Sequence, residues 1–328
     1  MTTIFHPYGG IVAVAALAGL VLMQTVTGKK LNSGTVSWFA VLGIPLAVLC
    51  GRLGYVIASL DTIGEESPLA FFFDFPGGGR MFYGVLAGLL IAAALTGRIT
   101  GQKTGAVMDA AAAPSALLIA AARLAEPLVG QGYGHSIEEW FDPYLEMSMV
   151  SLEDPGFFCR FPFGVQDSHY DSWNFAVFLL EALTALVILF ILLRVKTKRE
   201  GTRSLLFFLC YAAMQATLES MRQDDMLKLG ILGFVKVNQL MTLPVLVAVL
   251  WICASRLPKG SRAKIIAPAA VGAALCCLVI LVMEFALEQK IGFLMWMRMD
   301  LCYLVMLAAS VGMILLVRPV IRAADRPA

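Results

Sequence analysis

The chain has 328 residues, 59% of them hydrophobic and only 15% charged, with a formal net charge of +2. Soluble globular chains run at about 45–50% apolar and about 25% charged, so a soluble enzyme is excluded. Disorder, which needs low hydrophobicity with high net charge, is excluded by the same balance, and so small a charge gives no footing for nucleic acid.

Taken in chain order, nine apolar segments are long enough, with tilt, to cross a hydrocarbon core of about 30 Å: 10–26, 37–60, 82–96, 106–128, 173–193, 205–218, 237–254, 265–287 and 301–317. The first has no basic stretch before it and no convincing small-residue cleavage site, and so reads as a retained helix. The sixth is short, and becomes a full crossing only if Glu219 and Arg222 continue the helix to the interface. The fold class is therefore all-α, a polytopic helical membrane protein.

Lysine and arginine alternate between the loops. Lys29 and Lys30, Arg98 and Lys103, the run from Arg194 to Arg203, the run from Arg256 to Lys264, and Arg318, Arg322 and Arg326 all fall on one side. By the positive-inside rule that side is cytoplasmic, which puts the N-terminus out and the C-terminus in. The opposite side carries the two longest connections, 61–81 and 129–172, both acidic and aromatic. Cys50, Cys210, Cys253, Cys276, Cys277 and Cys302 lie in or beside spans and Cys159 alone lies outside, so no disulfide framework is implied. His6, His135 and His169 are scattered, no metal-ligand spacing occurs, and no cofactor is expected.

Charges inside a span are costly and mark a bundle interior or a wet cavity. Here they are Arg52, Asp109, Arg123, Glu126, Glu181, Glu219 and, at span ends, Arg222, Glu284 and Asp300. With the orientation above, Arg52, Arg123, Glu126, Glu219, Arg222, Arg80, Tyr83 and Gln239 gather at one depth, the outer leaflet. Tyr211, Gln215, Glu219 and Arg222 follow helical spacing and share a face. Arg123 and Glu126 are i, i+3 neighbours that can pair. Gly84 and Gly88 form the G-x-x-x-G spacing of a close helix contact. A cavity lined by arginines at outer-leaflet depth suits a phospholipid headgroup, because the guanidinium fork matches phosphate. Arg–Glu pairs that merely fix the bundle are the structural alternative.

These residues, in this order, resemble the prolipoprotein diacylglyceryl transferase family. Tyr8-Gly9-Gly10, Gly51-Arg52-Leu53-Gly54-Tyr55, the run from Gly78 to Gly84, Asp109 fourteen residues before Arg123, the run from Glu219 to Asp225, and 239–244 each resemble a family motif. The resemblance implies transfer of a diacylglyceryl group from phosphatidylglycerol to the lipobox cysteine of a prolipoprotein in the bacterial cytoplasmic membrane. Membrane lipid and the prolipoprotein signal peptide would be its partners, with no nucleic acid. It divides the chain into a transferase-like membrane domain, 1–256, and an additional two-helix extension, 257–328. It implies that Tyr8, Arg52, Arg80, Arg123, Glu126, Glu219, Arg222 and Gln239 bind substrate and that Tyr83, Tyr211 and Gln215 stand at catalytic positions.

The departures from the family are specific. Tyr83 occupies a histidine position, Gln215 an arginine position, and Glu126 an asparagine position. A phenol, with an ordinary pKa of about 10, is a weak base near neutrality but a good hydrogen-bond donor. Arg80 could replace part of the charge missing at Gln215. A related transferase with the same donor and another acceptor, or a non-catalytic lipid-binding homologue, remain the alternatives.

Overall fold

The computed structural model describes residues 7–60, 67–74, 79, 81–137, 162–167, 172–223, 228–229, 232–294 and 296–326. Within them the helices are α1 (Pro7–Leu22), α2 (Thr35–Ala58), α3 (Pro68–Phe73), α4 (Phe82–Thr100), α5 (Thr104–Ala125), α6 (Val177–Arg194), α7 (Thr202–Met221), α8 (Val237–Leu240), α9 (Thr242–Arg256), α10 (Lys259–Leu287) and α11 (Met299–Ala324). Two antiparallel hairpins join them: β1 (Gly164–Asp167) with β2 (Ser172–Phe175), and β3 (Lys228–Leu229) with β4 (Leu232–Lys236). Among the described residues nine helices are long and apolar enough to cross a membrane. The protein is a polytopic helical membrane protein with two small hairpins added.

Two span boundaries bear on the site. The fifth helix begins at Val177 instead of 173, because Trp173, Asn174 and Phe175 spend their backbone on a ladder with Gln166, Val165 and Gly164. The sixth runs from Thr202 to Met221 and takes Glu219 inside it, with Arg222 as its C-terminal cap. The expectation that polar residues complete this crossing is met.

Helix α7 is the centre of the bundle. Of its most apolar stretch, 83% is buried, against 44% or less for any other span. It packs against α5, α6, α9 and α11, so it meets protein on all sides and can carry polar side chains that a lipid-facing helix could not. The outer helices do the reverse. Val14, Leu17 and Val21 of α1 and Val41, Ile44 and Ile57 of α2 are exposed, as a lipid-facing stripe requires.

Close helix contacts come from glycine. A Cβ at Gly84 would strike the carbonyl oxygen of Cys50, and one at Gly88 that of Leu46, so only glycine lets α4 lie this near α2. The G-x-x-x-G spacing does here what its pattern promised.

Each end of α7 is held by a partner from another element. At the start, the Asp109 carboxylate accepts from the backbone N–H of Gly201 and Ser204, both at 2.8 Å, and from Ser204 Oγ at 3.1 Å. This places an anion on the helix N-terminus, where free N–H groups and the dipole favour it. At the finish, Lys236 Nζ donates to the carbonyls of Glu219 and Arg222, both at 2.5 Å, and meets the opposite end of the dipole.

The basic loops meet at one end of the bundle. Asn32 Nδ2 bonds Thr100 O at 2.8 Å, Lys103 pairs with Glu200 at 3.4 Å, and Arg256 Nη2 donates to Glu200 O at 3.0 Å. Asp325 accepts from the backbone N–H of Lys198 and Arg199. The buried charges of the other helix ends lie opposite.

Candidate active site

At that opposite end, the C-termini of α5 and α7 meet the N-termini of α4, α6 and α9. Two arginines and two glutamates form a closed ring there. Arg123 Nη1 donates to Glu126 Oε1 at 2.5 Å, and Arg123 Nη2 lies 3.4 Å from Glu181 Oε1. Arg222 Nη1 reaches Glu126 Oε2 at 2.8 Å and Glu181 Oε2 at 2.6 Å. Each carboxylate is shared by both guanidinium groups, so the two positive charges are held side by side. All four residues are buried. Such a ring survives burial only because every charge is paired and hydrogen-bonded.

Local structure explains the placement. Arg123 is in the last turn of α5, and Glu126 opens the 3₁₀ turn Glu126–Val129 that follows it, which brings the i, i+3 pair together. Gly130 and Gly132 then take positive φ, 66° and 88°, and turn the chain back over the cluster. Residues after that turn fasten the neighbouring ends: Gly134 N–H donates to Phe175 O, Phe175 N–H to His135 O, and Gln223 N–H to Tyr133 O. A Cβ at Gly132 would hit Phe178 Cβ and the Glu126 carboxylate, so this position admits glycine alone.

The ring continues through amides into α7 and α8. Gln215 Nε2 donates to Glu181 Oε1 at 2.9 Å and to Glu219 Oε2 at 2.5 Å. Asn238 Nδ2 donates to Glu219 Oε1 at 2.9 Å. Among the described residues Glu219 has no cation partner; its four-lone-pair carboxylate is met by two neutral amides. Gln239 ties elements together: its amide donates to Ala216 O at 3.1 Å and to Glu284 Oε1 at 3.0 Å, and its oxygen accepts from Lys236 N–H at 3.1 Å.

Two phenols stand over this network, Tyr83 beside the Thr242 hydroxyl and Tyr211 beside the Arg123 guanidinium. The hydroxyls of Tyr83 and Tyr211 are buried and lie outside hydrogen-bond geometry with any described partner. Tyr83 has Tyr211, Glu219 and Thr242 as polar neighbours, and Thr242 gives its own proton to Ala212 O at 3.0 Å. Tyr211 has Arg123, Glu181 and Glu219 around it. Its ring is fixed between Phe82, with centroids 4.7 Å apart, and Phe207, at 6.0 Å. Buried hydroxyls so weakly bonded are costly, and here they lie among charged groups, Tyr83 near Glu219 and Tyr211 near Arg123, Glu181 and Glu219.

The remaining sequence candidates sit differently. Arg52 is buried but its guanidinium is spent on the α3 segment: it donates to the carbonyls of Phe71 at 2.5 Å, Asp74 at 2.8 Å, Gly79 at 3.2 Å and Phe72 at 3.3 Å. It also lies over the rings of Phe71 and Tyr55, 5.0 Å and 5.4 Å from their centroids. Tyr8 is half-buried in the first turn of α1, which packs along α5 and reaches the Glu126–Val129 turn. Arg80 lies outside the described residues. Asp109 belongs to the other end of the bundle. Among the described residues no group of three His, Cys, Asp or Glu side chains could hold a metal ion.

Four contributors to the cluster are not among the site residues expected from sequence: Glu181, Lys236, Asn238 and Glu284. Glu181 and Glu284 carry a signal, as carboxylates in a span or at its end. Lys236 and Asn238 carry none, since a lysine and an asparagine at the start of a span read as interface residues.

The sequence model of the prolipoprotein diacylglyceryl transferase family matches residues 2–255. A protein of Pseudomonas syringae pv. tomato is 28% identical over 247 residues, covering 74% of this chain and 83% of its own. One from Erwinia tasmaniensis is 28% identical over 215 residues, 61% of this chain and 69% of its own. Another from Bacillus licheniformis is 25% identical over 224 residues, 68% and 78%. All three are named phosphatidylglycerol–prolipoprotein diacylglyceryl transferase.

Proposed function

The chain belongs to the prolipoprotein diacylglyceryl transferase family, and from that premise we propose that it moves the diacylglyceryl group of phosphatidylglycerol onto the lipobox cysteine of a prolipoprotein. The observation that carries this reading is the pair of arginines, Arg123 and Arg222, held side by side by two shared glutamates, with two buried phenols beside them.

In the reaction a carbon–sulfur bond forms between the cysteine and the glyceryl carbon that bore the phosphate. The carbon–oxygen bond to phosphate breaks, glycerol phosphate leaves, and the thiol's proton passes to the leaving phosphate or to water. The leaving phosphate gains charge as that bond breaks, and fixed cations aimed at it lower the barrier. Arg123 and Arg222 supply them, their forks being suited to phosphate. Because Glu126 and Glu181 already orient both guanidinium groups, little reorganisation is needed when the lipid arrives. Tyr83 and Tyr211, buried beside the arginine pair, donate hydrogen bonds to the phosphate or the thiol. Gln215, where the family has an arginine, turns its amide to Glu181 and Glu219 and adds no charge to the phosphate site.

The site faces the extracytoplasmic leaflet of the bacterial cytoplasmic membrane in this reading, where a secreted signal peptide arrives. Its support is the Lys/Arg pattern, with all basic loops at the end opposite the cluster. Labelling of introduced cysteines from outside intact cells checks it: 131–137 should react and 196–203 should not.

Depleting the host transferase and asking whether this chain restores lipoprotein modification tests the function. Rescue that disappears with Arg123→Ala supports the reading. A chain that binds or consumes phosphatidylglycerol without rescue points to another acceptor, the alternative favoured by the changes at Tyr83 and Gln215. Absence of both would defeat the proposal.

A further inference from the structure

Resting on that reading, we infer that the C-terminal helices α10 and α11 are part of the catalytic machinery, as a brace whose key positioning residue is Glu284. Both helices lie beyond residue 255, where the family match ends. They nevertheless grip the last turn of α7, the turn that carries Glu219 and ends in Arg222. Glu284 Oε2 accepts from Ser220 Oγ at 2.5 Å and Glu284 Oε1 from Gln239 Nε2 at 3.0 Å. From α11, Tyr303 donates to the carbonyl of Ser220 at 3.3 Å. One turn earlier the hydroxyls of Thr217 and Ser310 meet at 2.8 Å.

These bonds lie behind the face that lines the site. Ser220 sits between Glu219 and Arg222 in the chain, and Gln239 sits next to Asn238, the donor to Glu219. Glu284 therefore joins the two segments that position the Glu219 carboxylate and the Arg222 guanidinium. A carboxylate buried in a membrane bundle is costly, and this one is retained with both oxygens used. Ordinary packing supplies the rest: Met306, Met313 and Val317 of α11 are fully buried against α7 and α9. Apolar contact alone would hold the helices together. The directional bonds at 220 and 239 fix α7's last turn in rotation, and a shift of about 1 Å there can cost about a hundredfold in rate.

The test uses the full chain in phosphatidylglycerol-containing nanodiscs, with a lipobox peptide as acceptor. Glu284→Ala should lower kcat by about tenfold or more with KM within about twofold, the signature of a displaced transition-state contact. Amide exchange should rise in the peptide covering residues 216–222, and not in α4. Glu284→Gln should restore both, because a glutamine can accept from Gln239 and donate to Ser220. Lys103→Ala, at the opposite end of the bundle, should stay close to wild type in kcat. An unchanged kcat in Glu284→Ala, a Glu284→Gln as slow as Glu284→Ala, or a Lys103→Ala equally slow would each overturn the brace. If the wild-type chain transfers nothing, the transferase reading fails by itself. The exchange experiment then decides alone: a local rise in Glu284→Ala reversed in Glu284→Gln supports the brace, and no rise refutes it.

Discussion

The two ends of α7 both hold acids, and they use them in opposite ways. At its start, Asp109 spends its carboxylate on backbone N–H groups and the hydroxyl of Ser204. Asp325 likewise caps the backbone of Lys198 and Arg199. These acids complete helix and loop ends, and they explain why the loops stay folded. At the finish of α7, Glu126, Glu181 and Glu219 spend their carboxylates on side chains, two of which are guanidinium groups. Among the described residues those three carboxylates meet no backbone N–H. The arrangement costs desolvation, which buried ion pairs recover only partly. Carboxylates spent on orienting guanidinium groups, and not on closing helix ends, are the better candidate for chemistry.

Ranked by cost to the folded state, the first way to break this contrast is to remove Glu181. Glu181→Ala leaves Arg123 and Arg222 sharing one carboxylate in a buried site, and stripping one partner from such a network costs about 3–5 kcal/mol. Thermal unfolding in detergent should show the largest fall of the set, with transfer activity lost. If Glu181→Ala melts like wild type, the ring is not buried as described.

Asp109→Ala comes next. Removing an acceptor of three hydrogen bonds to a charged group should cost about 1.5–3 kcal/mol. The contrast is sharpened by the activity: molecules that remain folded should turn over at close to the wild-type rate, since Asp109 lies at the far end of α7. A loss of kcat larger than the loss of folded protein would show that the two ends are not separate.

Arg123→Lys costs less, because charge and one contact to Glu126 remain. It should keep the fold and lose part of the activity, as the planar fork that meets both glutamates and phosphate is gone. Complementation combined with a binding assay on phosphatidylglycerol vesicles separates the effects. Wild-type transfer by Arg123→Lys would remove the need for a two-pronged contact.

Much of this contrast was legible in the residues. Apolar runs gave the nine crossings, because a span must be long and lacking in charge whatever it packs against. The i, i+3 spacing of Arg123 and Glu126 gave their pair, and the spacing of Tyr211, Gln215, Glu219 and Arg222 gave the lining face of α7. The ring itself was not legible. Glu181 meets Arg222 across 41 residues of sequence, and Glu126 meets it across 96, and no periodicity encodes a pairing of that range. Lys236 looked like an interface charge and turned out to cap a helix. Arg52 looked like a partner of the other arginines because it shares their depth. Its side chain instead follows the carbonyls of α3, a short helix no apolar run announced. The hairpin β1–β2 escaped notice for a related reason: Trp173 to Phe175 are apolar enough to pass as the start of the next helix.

The smallest effect on stability, and the most informative on function, belongs to Tyr83→Phe. The change keeps the ring that packs edge-on against Phe82, with centroids 5.5 Å apart, and removes only the oxygen. That oxygen is buried with only a poorly formed contact to Thr242, so its loss removes a costly buried polar group and breaks little. Stability should hold or rise by up to about 1 kcal/mol, against the usual direction for core substitutions. A tyrosine kept only for its ring would leave turnover untouched as well. If the hydroxyl bonds to the phosphate or thiol, kcat should fall by about tenfold to a hundredfold while the protein melts no earlier. Tyr211→Phe provides the parallel case on α7. A Tyr83→Phe protein that is more stable and equally fast would assign the hydroxyl to neither fold nor chemistry, and would leave Tyr211 as the phenol that meets the substrate.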